Sequence, residues 1–227
     1  MKIGGIQKFS TVDYPGYVDA SIFTIGCNMR CGYCHNPELV LPEQFVGDIP
    51  ADEILEFLES RKGLLDGVAI SGGEPTMQAD LPDFIRKVRA MGFRVKLDTN
   101  GTNPEMLKYL IDEKLVDFIA MDIKGPLEKY VQIAARPVDL DAIRECIRLI
   151  KTVDHEFRTT IVRTQLEPSD FEAIGELVDG AQRFALQYFV PGNTVSPNFR
   201  HETSFTAEEM DIAKAIMQRH VAECVVH

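Results

Sequence analysis

Apolar residues recur along this chain in two alternating rhythms: short β-branched runs, then longer stretches in which apolar positions fall three or four apart. The first run, Ile22-Phe23-Thr24-Ile25, predicts a strand. A helix is predicted near Ala51 to Arg61, with Ile54, Phe57 and Leu58 on one face. Asp66 to Ile70 reads as a short buried strand, and Asp80 with Pro82 opens a helix whose Phe84, Ile85, Val88 and Met91 face inward until Gly92 stops it. Phe93 to Leu97 is the next strand. Asn103-Pro104 caps a helix bearing Leu107, Leu110 and Ile111, and Val116 to Ile123 is another strand with few charges. A helix over Asp139 to Lys151, a strand over Glu156 to Val162, a helix with Phe171, Ile174 and Val178, and a strand over Phe184 to Val190 continue the alternation. Thr206 and Glu209 form a capping box at the last helix, where Phe205 is placed to staple onto Met210.

Six strands alternating with helices define an α/β protein with a parallel sheet and right-handed crossovers, which curls toward a barrel when helices cover its outside. Six units leave a partial (β/α)6 barrel. The chain of 227 residues is expected to form a single domain, 1–227, with residues 1–17 as an N-terminal lead-in. In such sheets the active groups lie at the C-terminal ends of the strands. Four segments fall there: the loop Gly26 to Pro37, Ser71-Gly72-Gly73-Glu74-Pro75, Asp98-Thr99-Asn100-Gly101 and Asp122-Ile123-Lys124.

Charge and cysteine usage narrow the function classes. The formal net charge is −11, from 24 basic and 35 acidic residues, which argues against a nucleic-acid backbone as the main partner. Arg158, Arg163, Arg183 and Arg200 are the residues from which a local basic patch would have to be built. No run of eighteen apolar residues occurs, and Met1 to Ser10 lacks the apolar centre of a secretory signal, so neither a membrane span nor export is expected and the protein reads as cytosolic. The five cysteines do not resemble a disulfide framework. Cys146 falls in step with Ile143, Ile147 and Ile150, and Cys224 follows Met217 and Val221 at helical intervals, so both are expected on buried helix faces.

The remaining three, Cys27, Cys31 and Cys34, form a C-x₃-C-x₂-C run on one loop. Thiolates suit zinc and iron–sulfur clusters alike. A structural zinc site takes four ligands, and the one neighbouring candidate, His35, directly follows Cys34, from where it converges poorly on the same ion. Three thiolates hold three corners of a cubane cluster and leave its fourth iron open. The loop alone leaves zinc and cluster both available. Each later segment alone has a bland reading too: Gly72-Gly73 as a strand-to-helix turn, Asn100-Gly101 as a turn dipeptide, Asp122 and Lys124 as an ion pair. Together they would line one rim with metal, anion and amine partners.

With those residues in view, the chain resembles the radical S-adenosylmethionine superfamily, whose C-x₃-C-x₂-C signature stands here as Cys27, Cys31 and Cys34 with Tyr33 before the last cysteine. Asp13-Tyr14-Pro15-Gly16, Gly26 to Pro37, Gly63 to Gly67, Ile70 to Pro75, Lys96 to Pro104 and Ala120 to Lys124 are similar to the anaerobic ribonucleoside-triphosphate reductase activating proteins, relatives of pyruvate formate-lyase activating enzyme. The resemblance implies a [4Fe–4S] cluster on the three cysteines, with S-adenosylmethionine chelating the open iron through its amino and carboxylate groups. It places the backbone of Gly72, Gly73 and Glu74 at the amino group, Lys124 at the ribose or carboxylate end, Arg158 at the carboxylate and Tyr33 beside the adenine. Phe189 and Val190 would supply backbone contacts to the adenine. Asp98, Thr99 and Asp122 would hold a monovalent cation; on the competing reading these same groups only hydrogen-bond the nucleoside and brace the loops, and Asn100, with Asp98, is expected among the cofactor contacts.

The activity implied is reductive cleavage of S-adenosylmethionine to a 5′-deoxyadenosyl radical that takes hydrogen from a glycine of a partner such as an anaerobic ribonucleotide reductase. A flavodoxin- or ferredoxin-type donor would supply the electron, docking against Lys2, Lys8 and Arg30 if these form a patch on the acidic surface. No side chain is required as a general base. The alternatives are a related enzyme acting on a small molecule or another polypeptide, and a cluster or zinc module without turnover.

Overall fold

The computed structural model describes residues 1–227. Its sheet has eight strands in sequential order, β1 to β8, and the two ends of the sheet do not pair with each other, so the barrel is unclosed. All six predicted strands are present: β2 (Asp19–Thr24), β3 (Gly67–Gly72), β4 (Arg94–Thr99), β5 (Phe118–Asp122), β6 (His155–Ile161) and β7 (Arg183–Tyr188). They run parallel to one another. Two further strands flank them. β1 (Ile3–Ser10) lies antiparallel to β2 within the expected lead-in, and β8 (Glu223–Val226) lies parallel to β7. β1 was concealed by its Gly4-Gly5 pair and polar second half, which break the alternation of a half-buried strand.

The predicted helices are α2 (Ala51–Glu59), α3 (Leu81–Ala90), α4 (Pro104–Asp112), α6 (Leu140–Ile150), α7 (Asp170–Leu177) and α8 (Ala207–Met217), with the short α1 (Pro37–Val40) and α5 (Leu127–Ala134) in addition. The Thr206–Glu209 capping box forms in both directions, and Phe205 and Met210 are both buried. Cys146 is fully buried on α6 as expected. Cys224 is buried too, but on β8: the chain turns after α8, and the apolar spacing that looked helical continues into a strand.

Strand alternation divides the sheet into two chemically different faces. Ile22, Ile70, Leu97, Phe157 and Phe184 point outward and are fully buried. The inward-facing positions are polar: Ser71, Lys96, Asp98, Asp122, Glu156, Arg158, Thr160 and Gln187 all border the cavities inside the barrel. The helices therefore supply the hydrophobic driving force from outside, and the concave face is left for polar chemistry. No helix is long and apolar enough to cross a membrane.

Three of the four arginines named as patch material are neutralised. Arg158 pairs with Asp98 and Asp122, Arg163 with Glu209, and Arg183 with Glu156 at 3.0 Å. Lys2 immediately precedes β1 and Lys8 lies within it, about 20 Å apart at the usual rise of a strand, so their charges are spread along the strand rather than clustered.

Candidate active site

The cysteine loop leaves β2 at Thr24 and turns through Gly26, whose φ of +102° favours glycine and whose N–H bonds Leu39 O at 2.8 Å. Cys34 N donates to Cys31 O at 3.1 Å, closing a tight turn with Gly32 and Tyr33 at its corners. Cys31 is buried, Cys27 and Cys34 half-buried, and all three thiols are free. Burial pushes all three up, Cys27 to about 12. No three His, Cys, Asp or Glu side chains converge as ligands of one ion. A cubane takes one thiolate at each of three irons, so the spread of this trio and its shared cavity fit a [4Fe–4S] cluster better than a single zinc. His35 is turned elsewhere: its Nε2 lies 2.8 Å from Val190 O and its ring stacks on Phe189 at 5.3 Å.

Gly72 and Gly73 bring β3 against the base of this loop. A Cβ on Gly73 would lie 2.1 Å from Gly26 O, and one on Gly72, at φ +112°, 2.2 Å from Thr24 N. The gap is closed by Gly73 N to Thr24 O and Glu74 N to Gly26 O, both 2.8 Å. The glycine pair is thus demanded by backbone packing of the loop itself. Glu74 is fully buried, and burial raises its pKa against the bonds it accepts. Its carboxylate takes Thr76 N at 3.0 Å, the Thr76 hydroxyl, Thr99 Oγ1 at 2.8 Å and Asn100 N at 2.6 Å. With its oxygens so engaged, Glu74 ties β3 to the end of β4 and offers a ligand its backbone only.

Beside the thiols runs a chain of alternating charges. Lys96 pairs with Asp98, Arg158 bridges Asp98 (3.1 Å) and Asp122, and Lys124 pairs with Asp122 at 3.2 Å. Burial alone would raise both carboxyls, but Arg158 with Lys96, and Arg158 with Lys124, hold Asp98 and Asp122 below the usual range. Burial would likewise lower Lys124, and Asp122 overcomes it. Asp98 and Asp122 are therefore ionised at neutral pH, in an array of three basic and two acidic side chains. Thr99 Oγ1 donates to Glu74 and accepts Gly101 N at 3.1 Å, so it braces the loop.

Every expected residue from Cys27 to Arg158 borders this one cavity, whereas Phe189 and Val190 lie outside its wall. Phe189 is buried against His35 and Val190 is largely exposed. Tyr33 is buried, with Lys124 Nζ 6.0 Å from its ring centre. Sequence reasoning missed Lys96, which sits two positions before Asp98 on the same strand face; period-two alternation was the available signal. It also missed Asn28, which joins Asn100 and Thr102 at 2.8 Å each and anchors the cysteine loop to the end of β4. No spacing rule points to that pair.

The sequence profile of the Radical SAM superfamily matches residues 21–178, spanning β2 to α7 and the whole of this site. A Methanocaldococcus jannaschii protein named for glycyl-radical enzyme activation is 32% identical over 99% of this chain and 95% of its own length. The pyruvate formate-lyase-activating enzyme of Listeria monocytogenes is 32% identical over 60% of this chain, a match that spans 58% of that enzyme. Among solved structures, Streptococcus suis SuiB bound to S-adenosylmethionine superposes with a TM-score of 0.67 over 89% of this chain; at 14% identity and 48% of that protein's length, it speaks for the fold. The chain belongs to the radical SAM superfamily and, within it, to the glycyl-radical enzyme activating enzymes. Such an enzyme works with a [4Fe–4S] cluster and S-adenosylmethionine.

Proposed function

We propose that this protein generates a glycyl radical on an anaerobic ribonucleotide reductase or a related partner. The observation that carries the reading is the meeting of three free thiols and an ionised Asp–Arg–Asp–Lys array in one cavity at the strand ends. Cys27, Cys31 and Cys34 hold the cluster. When bound, the cluster and S-adenosylmethionine would supply one-electron reductive chemistry, with a flavodoxin- or ferredoxin-type donor as the source of the electron and the partner's glycine Cα as the source of the hydrogen.

This chain's own residues bind and orient. The backbone from Gly72 to Glu74 receives the methionine amino group, Arg158 and Lys124 the carboxylate and ribose end, while Tyr33 and Asn100 serve the nucleoside. The excess positive charge of the Lys96–Asp98–Arg158–Asp122–Lys124 array favours an incoming carboxylate. Asp98, Thr99 and Asp122 would hold a monovalent cation, for which their oxygens would have to turn from the partners they have here, Arg158 and Glu74 among them. The unclosed side of the barrel admits an extended segment of the partner to a cavity of about 500 Å³ that meets the cofactor cavity at Arg158.

Anaerobic reconstitution, reduction and product analysis test the reading. The wild-type chain is expected to form 5′-deoxyadenosine and, with the correct partner, a glycyl radical signal by electron paramagnetic resonance; Cys31→Ala is expected to form neither. Turnover that modifies a small molecule or another polypeptide instead would keep the cofactor chemistry and move the substrate. A verified cluster without any 5′-deoxyadenosine would sink the reading.

A further inference from the structure

Beyond β7 the chain does not leave the site. Residues 190–202 double back across the outside of the cysteine loop and bond to it main chain to main chain: Val195 N donates to Cys34 O at 2.9 Å and Ser196 N to Gly32 O at 3.0 Å. The segment is held at its start by His35, whose Nε2 lies 2.8 Å from Val190 O. In its middle, buried Thr194 bonds Ser196 O at 2.8 Å. It then enters a short 3₁₀ turn over Pro197–His201, which carries Phe199. The Phe199 ring covers Gly32 so closely that a Cβ there would lie 2.3 Å from the ring, and it stands 6.5 Å from the Tyr33 ring, centre to centre. Gly32 and Tyr33 are the corners of the Cys31–Cys34 turn.

We infer that this segment is a strap that fixes the Cys31–Cys34 turn and shields its outer side, with Phe199 and Ser196 as positioning residues for the cluster. Three features of its chemistry support this. The two main-chain bonds draw the Gly32 and Cys34 carbonyls outward, which leaves the opposite side of the turn to the sulfurs. The ring seals the one corner that has no side chain of its own. Phe199 is itself half-exposed and packs at the margin of the core, to which Cys31 and Tyr33 of the turn also belong. The strap comes from beyond the residues matched by the superfamily profile, 21–178, so the cluster loop is completed by a part of the chain outside that shared region.

The inference rests on the cluster reading, and the experiment separates the two. Wild type, Phe199→Ala, Gly32→Ala and the double variant are reconstituted anaerobically; iron and sulfide per chain are measured, and the decay of cluster absorbance is followed in air and with a chelator. Phe199→Ala is expected to load but to lose its cluster roughly fivefold faster, as loss of a single aromatic packing contact implies. The thermal midpoint of its cluster-free form should match wild type. Gly32→Ala, whose methyl collides with the ring, is expected to load poorly, and the double variant to recover loading because the space is free again. Phe199→Leu, which refills the corner, is expected to restore slow decay. Wild-type decay in Phe199→Ala, or equal loading by Gly32→Ala and wild type, would overturn the strap while leaving the cluster assignment intact. A wild-type chain that takes up no cluster would overturn both.

Discussion

Asp19, at the first position of β2, is fully buried and its Oδ1 has no hydrogen-bond partner. Its Oδ2 shares the single hydroxyl of Ser21 with Asp13, at 3.0 and 2.7 Å. Burial, with the Asp13 charge added, pushes its carboxyl up to about 6 from an ordinary 3.8. The folded state therefore holds the proton more tightly than the unfolded one, so stability falls as pH rises from about 4 through about 6. Asp19→Asn removes the ionisation and keeps the shape. In urea unfolding followed at pH 4 and pH 8, wild type is expected to lose on the order of 2 kcal/mol relative to the variant across that interval. An equal pH response in the two proteins would refute the assignment. At this scale the sequence was most legible where residue type is tied to chemistry, as in Cys27, Cys31 and Cys34. It was least legible where a side chain's partner is distant: nothing near Glu74 in the chain shows that Thr99 and Asn100 will consume its carboxylate.

At the level of elements, the apolar rhythm located the six central strands because parallel strands covered by helices must be apolar on at least one face. β1 and β8 escaped because they are edge elements, one polar and glycine-bearing, the other only four residues long. The junction between β3 and the cysteine loop shows what spacing cannot convey. Gly72-Gly73 reads as an ordinary turn, yet the structure makes it a backbone-to-backbone seam in which Gly73 has no room for a Cβ beside Gly26 O. Gly73→Ala is expected to part the Glu74 N–Gly26 O bond and cost about 1–3 kcal/mol of stability, in the manner of other overpacked sites. Because Gly26 precedes Cys27, iron and sulfide content after reconstitution should fall as well. Retention of both stability and cluster in that variant would show that β3 and the loop are free to separate.

The whole molecule places two cavities end to end in one unclosed barrel. The upper one holds the thiols and the ion array; the lower one, bordered by Lys96, Glu156, Arg183 and Gln187, opens beneath Arg158, which borders both. A polar lumen suits a peptide main chain, whose N–H and C=O groups need partners once they leave water. At a net charge of −11 the chain as a whole offers an acidic partner no long-range attraction, which puts the weight of recognition on the shape and hydrogen bonding of this passage. Gln187 is the place to test it: it sits on β7 in the lower cavity, across from Thr160, whose hydroxyl lies 3.3 Å from its Oε1. Gln187→Trp fills the passage below the ion array without removing any of its charges. Glycyl radical formed on the partner is expected to fall by tenfold or more, since displacement by about 1 Å suffices for losses of roughly a hundredfold, while 5′-deoxyadenosine released without a partner persists. Equal loss of both products would mean that the lower cavity serves the cofactor; loss of neither would mean that the partner's glycine reaches Arg158 by another route.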